Sequence, residues 1–134
     1  MKDLKIKIAT ITLTVLAIVV LCAFSVSAVE KDCDDAKSSA DDAHSFFRKA
    51  YNSSSLSDAQ YYAKKGMNAA SDAESEADDS DCDCSDAESE ASDAYSYGKK
   101  AYNSSTLSDA QLYARKAMNS ASSITDEAED CENE

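Results

Sequence analysis

Asp79, Asp81, Asp83, Ser85 and Glu90 stand at positions 1, 3, 5, 7 and 12 of one window. That is the ligand spacing of a calcium-binding loop held between two helices. The pattern departs from such a loop twice. Cys84 occupies the sixth position, where the turn needs glycine, and Asp86 stands where an apolar residue is expected. Asp79, Asp81, Asp83 and Glu90 are therefore kept only as a candidate metal site, in a chain whose acids are dense enough to match by chance. Loose screening of the acidic segments by divalent ions is the stronger expectation, and no cofactor is expected.

Other reactive types give less. His44 is the single histidine, and the equivalent position of an internal repeat is Tyr95. A residue that tyrosine can replace reads as a flanking aromatic rather than a base. No serine sits in a strand-turn-helix nucleophile context. No catalytic residue is assigned, and the chain is expected not to be an enzyme. Asn52-Ser53-Ser54 and Asn103-Ser104-Ser105 are formal glycosylation sequons. Their plainer reading is turn and capping chemistry.

The third pattern is cationic. Arg48, Lys49, Lys64, Lys65, Lys99, Lys100, Arg115 and Lys116 flank the two Asn-Ser-Ser segments. Arg48, Lys49, Tyr51, Asn52, Lys99, Lys100, Tyr102 and Asn103 form the candidate partner surface. Its anionic partner would be a cell-envelope polymer, a lipid headgroup or an acidic protein. The plainer reading, and the favoured one, is that Arg48, Lys49, Lys99 and Lys100 complement helix C-termini.

What must position these groups is a duplication. Ala50-Tyr51-Asn52-Ser53-Ser54-Ser55-Leu56-Ser57-Asp58-Ala59-Gln60 returns as Ala101-Tyr102-Asn103-Ser104-Ser105-Thr106-Leu107-Ser108-Asp109-Ala110-Gln111. A repeat fixes the unit of folding. Each unit holds two apolar seams in steps of three and four. Cys33, Ala36, Ala40, Ala43, Phe47 and Ala50 form one, and Leu56, Ala59, Ala63, Gly66, Ala70, Ala73 and Ala77 its partner. The second unit repeats both, from Cys84 to Ala101 and from Leu107 through Ile124 to Cys131. Such seams predict amphipathic helices. With no proline and two glycines, little interrupts them.

Ser57-Asp58-Ala59-Gln60, Ser108-Asp109-Ala110-Gln111 and Ser85-Asp86-Ala87-Glu88 match capping boxes. Leu56 with Tyr61, and Leu107 with Leu112, match hydrophobic staples. Chain reversal is placed at residues 52–57 and 103–108, and short connections favour antiparallel neighbours. The expected fold is all-α: two tandem helical hairpins, docked through Phe46, Tyr51, Tyr62, Met67, Tyr95, Tyr97, Tyr102, Tyr113 and Met118 into a small four-helix bundle. The alternative use of these side chains is a binding surface or dimer contact at the loop end.

An alanine seam buries little area, so it contributes far less than leucine at about 25 cal/mol per Å². Cysteines fit the need for something more. Antiparallel counting that sets Ala101 against Ala114 brings Cys84 opposite Cys131. The same register puts Cys33 opposite Ser80, with Cys82 just beyond. Clasps Cys33–Cys82 and Cys84–Cys131 are therefore predicted, each contributing about 4 kcal/mol by restricting the unfolded chain.

Residues 1–28 read as a signal peptide. Lys2, Lys5 and Lys7 precede an apolar stretch over residues 8–26, and Val26-Ser27-Ala28 offers a cleavage site. The alternative is an uncleaved anchor, the one route to a membrane. The domains are then hairpin one over residues 29–82 and hairpin two, with an acidic tail, over residues 83–134. An even cysteine count after the leader agrees with an oxidising, secreted or periplasmic destination. The net charge of −13 excludes nucleic acid as an expected partner.

Two tandem disulfide-clasped helical hairpins are similar in topology to the helical inhibitors of plant cell-wall enzymes, without a shared motif. That resemblance implies a protein that binds an enzyme or an anionic polymer through its loop end. The first expectation is broader: an exported, non-enzymatic structural or interaction protein. Divalent-cation binding at the acidic end is the third.

Overall fold

A computed structural model of the chain describes residues 32–133. The leader segment lies outside the described residues. Helix α1 spans Asp34–Tyr51, α2 Leu56–Ala77, α3 Ser85–Tyr102 and α4 Leu107–Glu132. Each packs on its neighbours around a ring: α1 on α2, α2 on α3, α3 on α4, and α4 back on α1. Across the ring α2 also meets α4. This is the docked pair of hairpins expected from the repeat. Both loops lie at one end of the bundle, here the loop end. Both disulfides lie at the other, the clasp end.

The seam residues are the core. The alanines of all four seams are fully buried, and the fully buried side chains larger than cysteine are Phe47 and Ile124. Tyr95, Tyr97 and Met118 pack against the main cluster, and Tyr62 and Tyr113 against a smaller one around Ala50, Ala63, Ala101 and Ala114. The predicted clasps form, Cys33 with Cys82 and Cys84 with Cys131.

Phe47 explains both glycines. A Cβ on Gly66 would stand 2.7 Å from the Phe47 ring, and one on Gly98 would stand 2.8 Å from it. Two neighbouring helices thus omit a side chain to seat one ring. In the duplication Gly98 is the counterpart of Phe47 itself. Near the axis relating two hairpins there is room for one phenylalanine, not two.

The caps differ from expectation. The N-caps of α2 and α4 are Ser55 and Thr106, not Ser57 and Ser108. Both take extended backbone, and their hydroxyl oxygens accept from the Asp58 and Asp109 amides at 3.1 Å. Each hydroxyl donates in turn to the same aspartate's carboxylate. Leu56 and Leu107 are consequently the first helical residues, so the staple positions are not those expected. Ser85 lies inside α3, whose N-cap is Cys84 with no side-chain cap bond. The chain must enter α3 straight from a disulfide, which leaves Ser85 no position outside the helix.

Candidate functional site

At the loop end the Asn-Ser-Ser segments are caps. Asn52 Nδ2 donates to the Arg48 carbonyl and Asn103 Nδ2 to that of Lys99, both at 2.9 Å. Ser53 and Ser104 hydroxyls donate to the Lys49 and Lys100 carbonyls at 2.8 Å. The serines thereby satisfy carbonyls that a helix leaves unpaired, and the asparagines add a second donor to the Arg48 and Lys99 carbonyls, which already accept the Asn52 and Asn103 amides at 3.1 Å.

The two loops are also joined to each other. Gln60 Nε2 donates to the Ser104 carbonyl, and Gln111 Nε2 to the Ser53 carbonyl, each at 2.9 Å. These bonds exchange when the repeats are exchanged, as expected of a pseudo-twofold axis along the bundle. Sequence reasoning assigned both glutamines to capping boxes. Their retention in both copies was the available signal. Their true partners lie in the other hairpin, beyond the reach of local spacing.

This frame carries the cations. Phe46 lies under Lys49 at 5.1 Å and Lys65 at 5.4 Å. Its repeat counterpart Tyr97 lies under Lys100 at 5.0 Å and Lys116 at 5.5 Å. Lys64 sits over Tyr102, joining α2 to the end of α3. Ring faces attract ammonium groups within about 6 Å. Among the described residues, none of the eight loop-end cations has a carboxylate within ion-pair distance. Helix dipoles account for Arg48 and Lys49, and for Lys99 and Lys100, which lie in last turns. They do not account for Lys64, Lys65, Arg115 and Lys116, which lie mid-helix. Tyr51 and Tyr102, expected among the docking residues, are instead exposed beside them, because they lie in the last helical turns at the loop end, and Tyr61 and Leu112 are exposed there too. All eight predicted surface residues are exposed and lie at this end.

The clasp end has the opposite character. Its described residues carry one cation, Lys37, whose Nζ lies 2.8 Å from Asp34 and 2.8 Å from Glu132. Hydrogen bonding to Asp34 and then Glu132 raises the Lys37 pKa well above its ordinary value. The Lys37 bond, and then the Cys33 amide at 2.8 Å, hold the Glu132 carboxyl below its ordinary range. Glu132 thereby caps α1 from the far end of α4. No local pattern pointed to it.

Among the described residues, the candidate metal residues form no group of three carboxylates close enough to share an ion. Asp79, Asp81 and Asp83 lie in the α2–α3 connection and Glu90 on α3. Asp79 Oδ1 accepts from the Ser80 hydroxyl and the Asp81 amide. Asp83 takes the left-handed backbone (φ 45°) that a glycine would favour, between the two cysteines of different clasps. The carboxylates that do approach one another are Asp32, Asp34 and Glu132, and the Lys37 ammonium is bonded to two of them. A cleft of about 400 Å³ opens nearby, lined by Asp32, Asp34, Asp35, Glu76, Asp79 and Asp81. Glu76 Oε2 is buried and accepts no hydrogen bond from the described residues. His44 is half-buried on α1. Among the described residues no helix is long and apolar enough to cross a membrane.

Comparison of the chain with family models, with curated proteins and with solved structures finds no match.

Proposed function

We propose that the protein is an exported, non-enzymatic interaction module that engages an anionic partner through the loop end of its bundle. The observation that carries this reading is the set of eight cations without carboxylate partners among the described residues, on a frame fixed by Gln60 and Gln111. Like charges held together are unfavourable until an anion joins them. Lys49 with Lys65, and Lys100 with Lys116, are paired over single rings. The exposed tyrosines add apolar contact area at low entropic cost. Two disulfides support a destination outside the cytoplasm.

Retention on a dextran sulfate column tests the reading. The wild-type protein is expected to bind at low salt although its net charge is −13. Lys99→Glu with Lys100→Glu should shift elution to lower salt without moving the thermal midpoint by more than a few degrees. Equal retention of that variant, or no retention of the wild type, would overturn it.

A further inference from the structure

Among the described residues, one end of the bundle gathers cations that no carboxylate pairs, and the other gathers carboxylates around a single cation, Lys37. We infer that the anionic partner of the loop end is the clasp end of a second copy of this chain, so that copies join head to tail. This inference rests on the loop-end reading and names its partner.

The two faces are complementary in charge and in local need. At the loop end, the carboxylates beside eight cations are Asp58 and Asp109, and both are tied to the caps Ser55 and Thr106. At the clasp end the one cation among the described residues, Lys37, is held by Asp34 and Glu132, so no second described cation faces Asp35, Glu76, Asp79 and Asp81 in the cleft. The last turns of α2 and α4 contain no basic residue, although a helix C-terminus favours cations. The acidic cleft is about 400 Å³, within the range that holds a whole small ligand. It therefore has room for lysine or arginine heads. Within it Glu76 keeps a buried, unpartnered oxygen. A buried acceptor left without a donor is unfavourable. An ammonium from a neighbouring copy would supply the donor.

Screening favours this arrangement over a repulsive one. At physiological salt the Debye length is about 8 Å, whereas the 18 residues of α1 span roughly 27 Å. Each end is thus felt mainly by what touches it, and the overall negative charge matters less than the two faces. Parallel side-by-side packing would bring acidic ends together. End-on packing sets the basic face against the acidic one. The contact uses different surfaces on the two copies, so it does not close and the chain of copies can grow.

Sedimentation of the oxidised protein, produced with its own leader and purified from the export compartment, tests the inference. At about 20 mM salt the mean mass should rise with concentration past two copies, and at about 0.5 M salt it should fall to one. Glu76→Gln should raise the concentration for half-assembly about tenfold or more. Lys99→Glu with Lys100→Glu should not assemble alone. Because its acidic end is intact, it should shorten wild-type chains when mixed in. A mass that stops at two copies overturns the inference, as does assembly indifferent to Glu76→Gln. Assembly that requires calcium and survives the lysine reversals overturns it too, since metal would then bridge acidic ends. A protein that stays monomeric at low salt, yet binds dextran sulfate through Lys99 and Lys100, refutes self-pairing and leaves the loop-end reading standing. Failure of both measurements refutes both.

Discussion

The loop end obeys the duplication and the clasp end breaks it. At the loop end every side-chain hydrogen bond among the described residues has its twin: Gln60 and Gln111, Asn52 and Asn103, Ser55 and Thr106. At the clasp end the twins part. Cys33 and Cys84 correspond, but Cys82 corresponds to Asn133 and Cys131 to Ser80. The reason is connectivity. One hairpin must feed the next across the clasp end, so α2 stops at Ala77 and the chain turns through Asp83. Helix α4 meets no such turn at the equivalent place and runs a further turn to Glu132. Symmetry survives where no connection crosses it. The extra turn then does work the first hairpin cannot, because it caps α1 and engages Lys37.

The middle of the bundle breaks the symmetry in another way, and the largest effect is expected there. Phe47→Ala should cost about 3–4 kcal/mol in denaturant unfolding, the range for emptying a buried aromatic site. Gly98→Ala in the wild type gains helix propensity of about 1 kcal/mol but presses a Cβ against the Phe47 ring. Overpacking costs roughly 1–3 kcal/mol, so the net should be destabilising by about 1. In the Phe47→Ala background the same glycine change should become stabilising. A change of sign is the test, and a Gly98→Ala effect independent of residue 47 would refute the shared seat. Moving the ring to the other hairpin sharpens it further. Phe47→Gly, Gly98→Phe, Gly66→Ala and Ala117→Gly together should recover more stability than any two of them, if the hairpins are equivalent about the axis.

Those expectations show how far the sequence could be read. Helices, seams and both clasps follow from period and register, because alanine and cysteine recur on the face that must be buried. The sequence also exposed the swap of Phe47 for Gly98. Its cause did not show, since it depends on a ring crossing from α1 to α3. The caps were misplaced by two residues, because Ser55 and Ser57 offer the same hydroxyl and only the backbone decides between them. The cationic surface was legible as composition beside loops. Gln60, Gln111 and Glu132 were not legible, since each acts on a segment more than forty residues away.

Glu132 gives the next effect. Its carboxylate accepts from Lys37 and from the Cys33 amide. Glu132→Gln should therefore cost about 1.5–2 kcal/mol at neutral pH. Its repeat counterpart Asp81 has no such partners, so Asp81→Asn should change stability by less than about 0.5 kcal/mol. The sign with pH follows from the lowered pKa of Glu132. A group lowered on folding contributes fully above its ordinary value of 4.5 and loses that contribution as pH falls through the folded value. The raised Lys37 works oppositely, contributing in full below 10.5 and fading as pH rises through its folded value. The readout is the stability difference between wild type and Glu132→Gln. It should be flat from about pH 6 to 9 and shrink below pH 4. A difference that grows on acidification would contradict the capping role.

The smallest effect tests the symmetric end. Gln60→Ala and Gln111→Ala each remove one bond between loops, worth about 1 kcal/mol. Equal geometry predicts nearly equal losses. Their acceptors differ in one respect, however. Ser53 is 8% exposed, whereas Ser104 is half-buried and can exchange its lost donor for water. Gln111→Ala, which orphans the Ser53 carbonyl, should therefore cost a few tenths of a kcal/mol more than Gln60→Ala. Amide hydrogen exchange at the two loops should report the same order, because each glutamine steadies the loop of the opposite hairpin. Faster exchange is expected around residues 52–55 in Gln111→Ala and around residues 103–106 in Gln60→Ala. If each variant instead loosened its own hairpin's loop, the exchange of partners would be wrong. The loop end would then be two separate turns rather than one platform, and the cations on it would have no common frame.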